Sequence, residues 1–338
     1  MKKLNLTVLL ITLFTLNSIG QSREEYLETV ATEYYKVTVG TWKYVKEGKN
    51  SGEVKPLELT RKKLISETQS AINKLKDIGT WEGDATFSDA VMRHYETTLK
   101  VLQHGYPLLM DLGVYKDKSA FEMQKYINKE KKLRDDLLRT NKVAAQAQED
   151  FTISHKINTN ADNSGLVKRM EKAGKAYDYY DKIFMFNFES TKLDAELVEV
   201  LKTKDVKKIE VVRLKLLKSS KEGLAQIKVV GPHGSDNRMM MPTKQLLEFY
   251  KKEAQELVPS QIEFFNAKTH FENHAKEMKA KKKRTKQDVD KFKNEMKELK
   301  AKTELYNREN HKMNARRTYV VNVWNNDAKN FIDINVPE

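Results

Sequence analysis

The sequence contains no cysteine, which removes disulfide staples, thiolate metal sites and the lipobox cysteine that would carry a lipid. It has only 13 Gly and 6 Pro in 338 residues, too few turn formers for a sheet-rich architecture with many tight connections. Beyond the first twenty residues no stretch is apolar over the ~20 positions a helix needs to span a bilayer. Motifs that announce a reaction are missing too. There is no GxxxxGK[ST] phosphate loop, no HExxH pair and no recognised nucleophile motif around a Ser or Thr. These absences argue against an enzyme, and no cofactor is expected.

What is present is a composition of long amphipathic helices, 39% hydrophobic and 33% charged; the chain reads as all-α. Lys2 and Lys3, the apolar run Leu4 to Leu16 and the small residues Ser18 and Gly20 read as a secretory signal peptide over residues 1–20. Export to the periplasm, the cell surface or the medium is therefore expected, from a bacterium. The remaining length exceeds what one core normally serves, which favours two domains.

The same count follows from an internal repeat. Arg61 to Gly79 (RKKLISETQSAINKLKDIG) recurs 152 positions later as Arg213 to Gly231 (RLKLLKSSKEGLAQIKVVG), with five identities and five conservative matches. Loops with Gly83 and Asp84, then Gly234 and Asp236, follow the two copies, and helix-like runs around Tyr95 and Tyr250 come next. The expected architecture is two tandem, duplicated antiparallel bundles of about four helices each. Unit one spans 21–157, a turn-rich linker 158–165 (NTNADNSG), and unit two 166–338.

Apolar spacing orders the helices in each unit. First helices are expected from about Arg23 to Lys46 and Leu166 to Lys202. Second helices end on Gly79 and Gly231, where a left-handed residue terminates a helix. Third helices begin near Phe87 and Pro242, the first of them ending near Gly113. Pro259 is expected to kink the other. The fourth helices carry a 3.5-residue repeat, Met123 to Phe151 and Val289 to Met313, implying coiled-coil-like packing. Matching Tyr126 to Phe292 gives unit two about eleven extra residues, a longer hairpin that turns at the capping signal Thr285 and Asp288.

Net charge is +14, and much of it lies in that hairpin. Phe271 to Arg317 holds 16 Lys or Arg against 8 Asp or Glu. Such a run is either a solvated helix face or a surface for polyanions such as lipopolysaccharide, acidic glycan or nucleic acid. Lys279, Lys281, Lys282, Lys283, Arg284 and Lys286 are its densest part. Nucleic acid is the least favoured, because few aromatics are interleaved for stacking.

Other constellations read mainly as structure. His270 and His274 stand one helical turn apart with Glu277 beyond, but a zinc site needs a further ligand, and His311 falls about 20 Å away if the hairpin turns at Thr285. His94, His104, His155 and His233 are isolated. Asp84 and Asp236 suit helix capping; the alternative is a repeated functional loop formed by Gly83, Asp84, Gly234 and Asp236, with Trp81 beside the first. Met239 to Met241 with Met278 and Met296, and the aromatic run Tyr177 to Phe188, fit core filling.

The segment Gly79 to Tyr95, with GxxxGDATFSDAVMRHY, together with AQAQEDFTISHKIN from Ala145 to Asn158, resembles uncharacterised exported or surface-associated helical proteins of bacteria. That resemblance implies location and class and brings no activity. The expected function is a non-enzymatic, exported interaction or envelope-associated module with an envelope or extracellular protein as partner. The alternatives are a polyanion binder working through the basic hairpin and a weak metal binder using His270 and His274.

Overall fold

The computed structural model describes residues 21–50, 54–105, 118–158 and 164–337; the signal-peptide segment, the expected helix end near Gly113 and most of the linker lie outside them. These residues are helical, with no strand among them. The helices are α1 (Arg23–Asn50), α2 (Val54–Ile78), α3 (Thr86–Lys100), α4 (Ala120–Ser154), α5 (Ser164–Thr203), α6 (Val206–Val230), α7 (Met240–Lys252), α8 (Val258–Ala280) and α9 (Lys286–Asn335). A π turn, Val101–Gly105, prolongs α3, and a second, Glu253–Leu257, joins α7 to α8. The helical run is unbroken from Met240 to Ala280, and Pro259 stands just past the second π turn, in the first turn of α8.

Local chemistry sets the boundaries. Gly79 (φ 71°) and Gly231 (φ 69°) end α2 and α6 in the left-handed region that glycine enters without a Cβ penalty. Ser119 and Glu122 form a capping box at the start of α4, and Thr285 and Asp288 form another at the start of α9. The hairpin thus turns at Thr285.

The same contacts recur at a constant spacing. An isolated bridge joins Trp81 to Asp84, and another joins His233 to Asp236. Asp84 Oδ1 accepts from the Thr86 amide at 2.9 Å, as Asp236 Oδ1 does from that of Arg238 at 2.9 Å. Arg61 Nη1 donates to the Leu102 carbonyl at 2.8 Å, and Arg213 Nη1 to the Ala254 carbonyl at 2.8 Å. Every pair, the two π turns included, keeps the offset that separates Arg61 from Arg213. By this spacing Tyr95 corresponds to Leu247 rather than to Tyr250.

The spacing then changes. Tyr26 donates to the Gly79 carbonyl at 3.3 Å and packs its ring on Phe151 at 5.4 Å. Tyr179 donates to the Gly231 carbonyl at 2.8 Å and packs on Phe331 at 5.6 Å. Phe151 and Phe331 stand 180 positions apart in the sequence instead of 152. The second hairpin is therefore longer by 28 positions, not by the eleven that Tyr126 and Phe292 suggest.

Packing runs across the expected boundary. One apolar cluster fills the outer half of the first four helices with Tyr26, Tyr34, Phe87, Tyr95 and Phe151. A larger one extends from Trp42, Leu64 and Leu102 through Tyr177, Ile183 and Leu216 to Trp324 and Phe331. Trp42 Nε1 donates to the Pro337 carbonyl at 3.1 Å, tying α1 to the end of the chain. On α4, Arg134 reaches Asp178 at 3.3 Å and Asp181 at 3.1 Å on α5.

Candidate polyanion interface

Beyond the body, α8 and α9 run on alone as a two-helix arm. Phe264 stacks on Tyr306 at 4.5 Å at its base and Phe271 on Phe292 at 5.1 Å farther out. From Lys286 to Tyr306 the arm extends ~30 Å at 1.5 Å per residue. Its shaft carries intermixed charges, with Lys302 facing Glu263 at 3.8 Å and Lys291 near Glu295 at 3.9 Å. His274 Nδ1 contacts the same Glu295.

The tip differs from the shaft in sign and in build. Lys279 to Lys286 contains six basic residues and no acidic residue. Two of the six hold the turn. Arg284 Nε donates to the Met278 carbonyl at 2.9 Å, covering an open carbonyl at the end of α8, and Lys281 Nζ lies 2.6 Å from Asp288. The Lys281 ammonium, then the backbone and hydroxyl of Thr285, hold the Asp288 carboxyl down at about 2, so it stays ionised and locked in the cap. Lys279, Lys282, Lys283 and Lys286 are exposed and make no ion pair with the described residues. A fixed turn therefore presents four uncompensated ammonium groups at the end of a lever. Aromatic rings for base stacking are not among them, because Phe271 and Phe292 stack on each other.

No family model, curated protein or solved structure matches this chain.

The remaining residues singled out by sequence do not join the tip. Asp84 is bound by His155 Nε2 at 3.0 Å, at the far end of α4, and that contact followed by the Thr86 amide holds its carboxyl below the usual range. Asp236 is bound by Asn335 Nδ2 at 2.7 Å and Arg238 at 2.9 Å. Burial works the other way there, but the amide of Arg238 and the Asn335 contact keep its carboxyl low as well. Both loops, Gly83 and Gly234 included, are tight turns tied to the end of a long helix. Neither aspartate caps the next helix as expected, because each bonds the amide two residues on while the N-cap positions, Ala85 and Met239, carry no side-chain cap. The Asp178 beside Tyr179 of the second loop meets α4 at Lys131 and Arg134. Those two stand six to seven helical turns before His155, so the loops lie ~30–36 Å apart. The 50 residues of α9 put the tip ~75 Å from the second loop. Loops and tip share no face.

His270 and His274 are neighbours on α8, with ring centroids 6.5 Å apart, but among the described residues no three His, Cys, Asp or Glu gather to hold a metal. Met239 is buried whereas Met296 is exposed, so the methionines form no common site. In the aromatic run, Tyr177, Ile183 and Phe188 are buried.

Sequence reading missed two buried polar networks. One centres on His94, whose ring nitrogens meet Thr38 Oγ1 at 3.1 Å and Thr140 Oγ1 at 3.0 Å. It borders a cavity of ≈ 40 Å³ shared with Thr41, Arg134 and Tyr177, room for a water or two. The other joins Arg317 to Asp194 at 3.0 Å and to the wholly buried Glu253. Neither network has a local sequence signature, since its members come from three or four helices.

Proposed function

We propose that this chain is an exported, non-enzymatic helical scaffold that carries a polyanion-binding tip on a projecting arm, with an acidic glycan as the working ligand. The observation that supports this reading is the contrast along the arm. Lysines on the shaft are interspersed with acidic residues, and Lys291 and Lys302 pair with Glu295 and Glu263, while Lys279, Lys282, Lys283 and Lys286 at the tip are of one sign and make no ion pair with the described residues. Ammonium groups held close together on a rigid turn raise the local potential and favour a multivalent anion over a single one. The body then serves to hold the tip away from whatever surface the chain is mounted on.

The reading includes a duplicated origin for 21–157 and 166–338. The repeated bridges, arginine contacts and π turns at one constant offset support it. Unit two would have kept the bundle and lengthened its hairpin by about 14 residues in each arm, which adds ~21 Å of reach.

Binding of the full chain to a sulfated glycan column tests the tip. Retention should fall steeply as salt rises from about 0.05 to 0.3 M, because the Debye length shrinks from ~14 Å to under ~6 Å over that range. Replacing Lys279, Lys282, Lys283 and Lys286 together by Glu should abolish retention while leaving the helical signal intact. Retention that ignores salt, or survives the fourfold change, would sink the proposal.

A further inference from the structure

We infer a second ligand site that does not depend on the arm: the groove between α6 and α7, built to hold a linear dianion with an apolar middle. The groove encloses ≈ 260 Å³ and is lined by Lys221 and Lys228 from α6, Lys244 and Lys251 from α7, and Glu248. Its floor is Leu224, Ala225 and Ile227.

The helices are antiparallel, and their register follows from Gly223, where a Cβ would sit 2.9 Å from a Leu247 methyl. Lys221 therefore lies across from Lys251, and Lys228 across from Lys244. Seven positions separate the two lysines on each helix, two full turns that return them to one face ~10 Å apart. The result is a basic pair at each end of an apolar trough. Glu248 stands between the pairs and reaches only Lys244, at 3.9 Å. A third anionic group at mid-groove would meet its carboxylate, so the spacer between the two ends has to be uncharged. Lys221, Lys228 and Lys251 make no ion pair with the described residues.

The first half of the chain supplies an internal control. At the offset of the repeat Lys221, Lys244 and Lys251 correspond to Gln69, Met92 and Leu99, while Lys228 and Glu248 correspond to Lys76 and Glu96. Both halves build the same helix pair, so the fold does not require these lysines. Three of the four basic positions are particular to the second groove, where Lys replaces an uncharged residue and, in two cases, an apolar residue packed against the core. Such a change gives up apolar burial, and a ligand carrying its own apolar chain restores it.

The ligand class is an α,ω-dicarboxylate or its bis-phosphate equivalent, long enough to bridge ~10 Å. Decanedioate, decanoate and succinate serve as probes, titrated into the full chain by calorimetry at low salt. Decanedioate should bind at least tenfold more tightly than decanoate, which has one anionic end, and than succinate, which is too short to reach both pairs. Replacing Lys221 and Lys251 together by Gln should cut decanedioate affinity by about tenfold and leave helicity unchanged, since both side chains stand at the groove rim. Charge reversal of Lys279, Lys282, Lys283 and Lys286 at the tip should leave it unaltered, which separates this site from the polyanion interface. Equal affinity for decanoate and decanedioate, binding of neither, or indifference to the paired Gln change would each overturn the assignment.

Discussion

Arg213 donates through Nη1 to the carbonyl oxygen of Ala254 at 2.8 Å while its Nε and Nη2 grip Glu210. Ala254 lies in a π turn, and so does Leu102, whose carbonyl takes Arg61 in the same way. A π turn shifts the amide donors by one residue and leaves a carbonyl short of its usual partner; the guanidinium replaces the missing donor. Arg213→Met keeps the aliphatic stem and removes the fork. It should cost ~1–3 kcal/mol of stability in urea denaturation, the penalty of a buried acceptor left unmade. Arg61→Met should cost a similar amount. A loss within the error of the measurement for both would mean that water satisfies these carbonyls.

The fold class was legible because its signals are local. Glycines at 79 and 231, the Thr285 and Asp288 cap and the apolar stripes all report on the few residues around them. Register across the repeat was not, and the errors have a common cause. Reading Tyr250 against Tyr95 slips the spacing by three, close to one helical turn, so the same face is presented. Matching Tyr126 to Phe292 slips it by two heptads, to which a 3.5-residue repeat is blind. Only side-chain contacts such as those of Phe151 and Phe331 break the degeneracy. The basic tip was visible as a run of lysines. The α6 and α7 groove was not, because its four lysines are spread over some thirty positions and converge only on folding.

Arg134 is the joint between the two halves. It is 8% exposed and faces Glu130 at 2.8 Å and Asp181 at 3.1 Å, both equally buried, with Tyr177 under its guanidinium. Arg134→Met takes the guanidinium away from two buried carboxylates, and should destabilise the chain by ~3–5 kcal/mol. Adding Glu130→Gln and Asp181→Asn should recover a large part of that, since the cost lies in stranded charge rather than in lost attraction. Chemical denaturation followed by tryptophan fluorescence, with Trp42 close to the joint, reads both effects. A triple variant no more stable than Arg134→Met would refute this account.

Burial pushes His94 down to about 4 from an ordinary 6.5, and Arg134 and Asp135 are the charged groups that line the same cavity. The folded ring is neutral, with one nitrogen donating and the other accepting from Thr38 and Thr140. An unfolded chain takes up a proton below pH 6.5 that the folded one refuses until near 4. Stability is therefore intact above about pH 6.5 and lost as pH falls toward 4, by up to ~3 kcal/mol. His94→Gln, which keeps hydrogen-bonding capacity without titrating, should lower stability at neutral pH but flatten its decline on acidification. Parallel pH profiles for the two proteins would show that His94 is not the acid-sensitive group.

Glu253 carries the opposite sign. It is wholly buried in its π turn and shares Arg317 with Asp194, whose two oxygens take Nε at 3.0 and 3.1 Å. Taken alone, the contact with Arg317 would favour an ionised Glu253. Burial first, and then the negative charge of Asp194, push the carboxyl the other way, well above the usual carboxylate range. One guanidinium neutralises one carboxylate, so the second keeps its proton; the upward direction is the one consistent with a single buried cation. The unfolded chain releases that proton near the ordinary value of 4.5 while the folded chain holds it. Stability from this site is complete below the ordinary range and drains away as pH rises through neutrality. Glu253→Gln fixes the neutral shape permanently. It should match the parent at about pH 5 and exceed it by a margin that widens toward about pH 9, measured as the difference in urea midpoint. A margin that stays constant over that range would mean Glu253 is already ionised in the fold, and that Arg317 serves both carboxylates at once.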